Sequence, residues 1–348
     1  MRSYQFRQYG EPLELVEAAD PEPAGTEVLV RVLACGACHS DLHMWEGYFD
    51  LGDDRKLDVR SDRTLPFTLG HEIVGEIVAV GPDAEGAAVG DRGVVFPWIG
   101  CRSCEICNRD GEHLCLQPRA LGTYRNGGFS DRVVVPHPRY LFDYGDTPLE
   151  LACTYACSGL AAYSALQKIA DCPGGQIVII GAGGVGLAAL SVEKETSDRQ
   201  VIIVDIRREK LDAAERLGAD HVVDGTDAAA HKQIKRLTTG GAYAILDCVG
   251  SEATATLGMR VLARSGVLVV IGLFGGSLQV PLPLLPFKNL TIRGSYLGSL
   301  PEMGELMELV RAGRLRPIPI EPRALDAAQQ TLNDLAAGTI VGRVVLTP

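Results

Sequence analysis

The stretch Gln176-Ile177-Val178-Ile179-Ile180 is apolar at four successive positions and runs without a break into Gly181-Ala182-Gly183-Gly184-Val185-Gly186. A strand with no polar face has no side to show to water, so it belongs inside a parallel sheet covered by helices on both faces. Similar runs recur at 201–204, 221–223, 244–246, 267–271 and 290–292, with helix-forming sequence between them. Six such strands make a complete doubly wound sheet. A Gly-x-Gly-x-x-Gly turn is weak evidence alone. Between a buried strand and a helix, however, its backbone amides and the helix N-terminus can face a pyrophosphate. Gly181, Gly183, Gly184, Val185 and Gly186 are therefore candidate cofactor-binding positions. The second strand ends in Asp205, where a carboxylate can accept from both hydroxyls of an adenosine ribose and would repel a 2′-phosphate. NAD is expected over NADP, although Arg207 and Arg208 follow closely.

The first 150 residues have another character. Short apolar runs at 28–34 and 73–80 are punctuated by Gly and Pro, and helical patterns are scarce. Within this part, Cys101, Cys104, Cys107 and Cys115 form a Cys-x2-Cys-x2-Cys-x7-Cys run that can close a tetrahedral zinc site. The beginning of the chain lacks the apolar core of a secretory signal, so close cysteine spacing points to metal rather than to disulfides. Cys35, Cys153, Cys172 and Cys248 read as small buried hydrophobes. A net charge of −11 argues against nucleic-acid or anionic-membrane partners, and no apolar run reaches the roughly 18 residues of a membrane span. A cytoplasmic enzyme is expected. After Tyr296 come a helical segment at 303–312, the Pro317-Ile318-Pro319 stretch and a closing strand at 341–346.

Three further pieces complete a pattern: Cys38 within Cys38-His39-Ser40-Asp41-Leu42-His43, the Gly70-His71-Glu72 triplet, and Cys157 opening Cys157-Ser158-Gly159-Leu160-Ala161-Ala162-Tyr163. With the four-cysteine run and the glycine turn, in this order, the chain resembles the zinc-dependent medium-chain alcohol dehydrogenases over nearly its whole length. The resemblance implies an α/β fold in which a Rossmann NAD-binding domain (158–296) is inserted in a mainly-β GroES-like catalytic domain (1–157 and 297–348). It also implies two zinc ions per chain, one catalytic and one structural.

By the same resemblance, Cys38, His71 and Cys157 hold the catalytic zinc, with Glu72 behind them or as an alternate ligand. Cys153 lies four positions from Cys157 and would share its helical face, so either could reach inward; the Cys-x-Gly-x-x-x-Tyr match favours Cys157. Asp41 would orient His71. Ser40 and His43 match a proton relay, His39 a cofactor phosphate contact, Arg343 a pyrophosphate partner, and Trp45, Phe49 and Trp98 a substrate channel. The implied activity interconverts small alcohols with aldehydes or ketones, in a homotetramer or homodimer. A polyol or amino-alcohol dehydrogenase of the same superfamily is the alternative, and a non-catalytic NAD-binding protein a more distant one. The charged stretch 51–63 has no counterpart in shorter relatives and reads as a solvated loop, or else as a cap on the channel.

Overall fold

The computed structural model describes residues 1–348 except for the side chain of Asp62. The continuous apolar runs become a six-stranded parallel sheet in the order His221–Asp224, Gln200–Asp205, Gln176–Ile180, Ala242–Asp247, Leu262–Val270, Thr291–Gly294. Numbered along the chain this is 3-2-1-4-5-6, the doubly wound order. Its topological switch point lies between Gln176–Ile180 and Ala242–Asp247, where ligands bind beyond the carboxyl ends of the strands. Ile177, Val178, Ile179 and Ala244, Ile245, Leu246 have no exposed surface, which is why these strands carry no polar alternation.

Two long antiparallel strands, Val28–Gly36 and Glu72–Val80, form the middle of a second sheet. Leu141–Phe142 and Arg92–Val95 extend it on one side, and Arg343–Thr347 and Ile320–Ala324 on the other. The last strand thus returns to the first part of the chain, with Val345 opposite Gly36. That return carries Arg343 into the interior, where it is 6% exposed. A smaller sheet joins Arg2–Phe6 to Glu14–Glu17 and Phe67–Thr68.

The charged stretch is not a plain loop. Tyr48–Asp50 and Lys56–Asp58 pair as a short antiparallel hairpin whose second strand is exposed throughout. Its far end turns inward: Arg63 is buried and donates to the carbonyls of Thr123 and Val59, each at 2.9 Å. These two carbonyls, with the Phe67 ring 5.6 Å from the guanidinium carbon, offset the desolvation of one guanidinium, a cost that charge density alone does not reveal. Asp62, in the same stretch, lies outside the described side chains.

Candidate active site and zinc centres

Cys101, Cys104, Cys107 and Cys115 bring four sulfurs together at the edge of the catalytic part. Zinc–sulfur bonds of about 2.3 Å place tetrahedral ligands about 3.8 Å apart. The Cys104–Cys115 and Cys101–Cys107 sulfurs are 3.8 and 3.9 Å apart. Backbone N–H groups of Cys101, Cys107 and Gln117 point at these sulfurs, a donor shell that favours thiolates. The donor set and spacing fit zinc with all four positions filled.

The second group is Cys38, His71 and Cys157, all buried, with ligand atoms within 4.8 Å of one another. Each comes from a different structural element. Cys38 caps the helix His39–Glu46, His71 immediately precedes the strand Glu72–Val80, and Cys157 sits at the break before the helix Ser158–Gln167. Asp41 holds two of these pieces in register. One of its oxygens accepts from the Cys38 amide at 2.8 Å, and the other lies 3.1 Å from both the Gly70 amide and His71 Nδ1. With Nδ1 so engaged, His71 Nε2 is buried and has no partner among the described residues. An orphaned imidazole nitrogen beside two sulfurs fits a three-ligand zinc with an open fourth position. Cys153 does not join the group; its sulfur faces the Glu150 carbonyl at 3.4 Å. Glu72 stands behind the ligands, accepting from the Ser158 amide at 3.1 Å and paired with Arg343.

Ser40 and His43 lie three apart on the His39–Glu46 helix and so share a face. Burial, reinforced by the neighbouring His39, holds the His43 imidazole down at about 4. It is therefore neutral near pH 7. Phe49 lies against it with the rings tilted by 41° and 4.9 Å between their centres. Burial also lowers the His39 imidazole, whose ring lies 5.6 Å from Phe274 of the cofactor part.

In the glycine turn, Gly181 has φ +98°, and a Cβ on Gly186 would collide with the Gly181 carbonyl, so both positions need glycine. Asp205 ties the turn to the second strand: its carboxylate accepts from the Ala182 amide at 2.7 Å and the Arg207 amide at 2.9 Å. Arg343 packs its aliphatic chain on Gly184, beside the N-terminus of the helix Gly184–Thr196. Arg208 is engaged by Asp212 and Glu215, and Arg207 donates to the Ala337 carbonyl.

The three aromatic positions part company. Trp98 is buried against His71 at 5.1 Å, its indole N–H donating to the Ala156 carbonyl at 2.9 Å. Phe49 covers His43. Trp45 instead donates to the Glu11 carbonyl at 2.7 Å, which fastens the helix to the N-terminal segment. Two residues went unnoticed in the sequence. Lys210, one turn into the helix that follows Asp205, is lowered by burial while Asp205 pulls it upward. Glu46 carries a carboxylate 3.8 Å from His43 Nδ1. Asp205-x4-Lys210 and His43-x2-Glu46 are the spacings that could have exposed them.

Comparison with known proteins gives one consistent result. Residues 24–144 match the alcohol dehydrogenase GroES-like domain, and residues 184–312 match the zinc-binding dehydrogenase family. The chain is 37% identical to an NAD-dependent alcohol dehydrogenase of Sulfurisphaera tokodaii and 36% identical to one of Saccharolobus solfataricus, each over 100% of both chains. Among solved structures, the alcohol dehydrogenase of Aeropyrum pernix superposes with a TM-score of 0.90 at 32% identity, covering 100% of both chains.

Proposed function

The chain belongs to the zinc-dependent medium-chain alcohol dehydrogenase family, and from that premise we propose how its own residues divide the work. The activity is NAD-dependent oxidation of primary or secondary alcohols to aldehydes or ketones, and the reverse. The observation that carries the assignment of the site is the convergence of Cys38, His71 and Cys157 with an unpartnered His71 Nε2. Zinc held there supplies the Lewis acidity that acidifies an alcohol, and NAD on the glycine turn supplies the hydride acceptor.

Around that chemistry Asp41 fixes the tautomer and tilt of His71. Ser40 is the first proton acceptor and His43 the last, its neutral ring handing the proton to solvent. Trp98 and Phe49 wall the pocket with apolar surface, which suits aliphatic and aromatic alcohols better than polyols. Asp205 and Lys210 receive the adenosine ribose, and Arg343 the pyrophosphate.

A panel of primary, secondary, aromatic and polyhydroxy alcohols, followed by NADH absorbance, tests this reading. Ser40→Ala is expected to lower kcat for alcohol oxidation by about 10²–10⁴-fold while zinc content and NADH affinity hold. An unchanged kcat removes Ser40 from the proton path.

The reading extends to assembly and compartment. The edge strand Thr291–Gly294 is exposed throughout, and beside it lie Leu282, Phe287 and Tyr296, at 74%, 73% and 49% exposure. An unpaired edge with apolar neighbours suits pairing with a second copy, the dimer from which a homotetramer is built. Phe287→Asp should then lower the mass measured by light scattering. None of the ten cysteines is in a disulfide, which fits a reducing cytoplasm.

A further inference from the structure

A cleft of about 390 Å³ opens beside the four-cysteine knuckle, apart from the zinc-ligand group of Cys38, His71 and Cys157 and from the glycine turn. Three arginines line it: Arg102 from the knuckle, and Arg119 and Arg125 from the segment that follows. Nearby arginines are paired, Arg109 with Glu105 and Arg139 with Glu112. Arg102, Arg119 and Arg125 form no ion pair and donate no side-chain hydrogen bond among the described residues. The only carboxylate in the lining is that of Glu27, and one of its oxygens already accepts from the Ala24 amide at 3.1 Å. Thr26 is likewise engaged, with the Pro136 carbonyl at 3.0 Å. The cleft is therefore a local excess of positive charge on a chain whose net charge is −11.

The backbone of one wall is tied down. The segment after Arg119 is clamped to the neighbourhood of His71: Gly127 packs on the Gly70 carbonyl, and the Gly128 amide donates to that carbonyl at 2.7 Å. The Arg125 carbonyl accepts from the Gly122 amide at 2.7 Å. All three guanidinium groups are exposed, and their planar forks match phosphate oxygens two at a time. The volume is that of a small-molecule site.

We propose that this cleft binds the polyphosphate group of a small anion, with the charge of a diphosphate or greater. It is a second anion site, separate from the pyrophosphate seat on the glycine turn. Two sources offer that chemistry, inorganic pyrophosphate and a nucleoside diphosphate, and they differ in whether a base and sugar add affinity.

Titration calorimetry on zinc-replete protein saturated with NADH, which blocks the glycine turn, separates the two anion sites. Pyrophosphate and ADP are titrated in parallel. Binding of one anion per chain is expected, weakening as salt rises. The Arg119→Gln/Arg125→Gln variant should lose tenfold or more in affinity with NADH binding and kcat unchanged; Arg125→Gln alone serves if the pair folds poorly. Tighter binding of ADP identifies a nucleotide site, and equal or tighter binding of pyrophosphate an inorganic one. No binding of either anion at millimolar concentration overturns the proposal. So does full affinity in the arginine variants, or a change in their oligomeric mass with anion affinity untouched, which would assign the arginines to a contact between copies.

Discussion

The two cysteine-bearing centres differ in almost every physical respect. The knuckle takes all its ligands from one short stretch, two of them only partly buried, and shields them with local amides. The other centre gathers Cys38, His71 and Cys157 from separate elements, all buried, and holds the first two in place through Asp41, which has no exposed surface. A closed set built locally can hold a lobe together but offers nothing to a substrate. An open set built from distant elements exists only once the fold is complete, and its unsatisfied position is where chemistry happens. The contrast teaches that metal content alone says nothing of role; ligand count and sequence range do.

The largest expected effects break one centre at a time. Cys38→Ala should cut kcat/KM by about 10³-fold or more, in the range lost when a principal electrostatic stabiliser is removed. The protein should stay folded with one zinc. Cys104→Ala should do the opposite, lowering Tm and soluble yield while the surviving folded molecules keep their kcat. Equal losses of activity per folded molecule in both variants would erase the distinction.

A smaller effect sharpens the role of the buried carboxylate. Asp41→Asn keeps the shape but gives up the negative charge beside His71 Nδ1, and should cost about 10–100-fold in zinc affinity or activity. The knuckle zinc should be retained. Loss of both metals together would mean that Asp41 supports the fold rather than the open centre.

A third effect concerns pH. The folded His43 imidazole is held near 4, below the unfolded value of about 6.5, so the unfolded chain binds more protons between these limits. The stability it contributes is complete above about pH 6.5 and is lost as pH falls towards 4. His43→Gln should flatten that acid limb in thermal melts recorded from pH 7 to 4, and an unaltered limb would place the titration elsewhere.

The smallest expected effect is at the pocket wall. Trp98→Phe keeps a ring against His71 but leaves the Ala156 carbonyl without its indole donor, a cost of about 1 kcal/mol in chemical denaturation. A bulkier secondary alcohol should gain in kcat/KM relative to ethanol. No change in that ratio would make Trp98 a packing residue.

Much of this was legible before any coordinates. The apolar runs from Gln176 onward, the glycine turn and the knuckle spacing are local signals, and local signals survive in a one-dimensional reading. What stayed hidden depends on tertiary approach. Arg343 could be matched to a cofactor role, but its pairing with Glu72 needs the last strand to return beside Val28–Gly36. The fates of Trp45, Phe49 and Trp98 were indistinguishable as a set of aromatics, because only the helix orientation sends Trp45 to Glu11 and leaves the others facing His43 and His71. The charged stretch read as solvated, whereas burial of Arg63 depends on carbonyls from Val59 and Thr123 that no charge pattern announces.

The unequal roles of the two centres are tested most directly by removing zinc stepwise with a chelator while following released metal, alcohol oxidation and far-UV circular dichroism on the same sample. The protein should start with two zinc ions per chain. Activity should disappear with the loss of one of them while the dichroism stays native, and the fold should fail only as the other leaves. A starting content of one zinc, or full activity surviving after one zinc has left a still-native chain, would contradict the division between an open, catalytic centre and a closed, structural one.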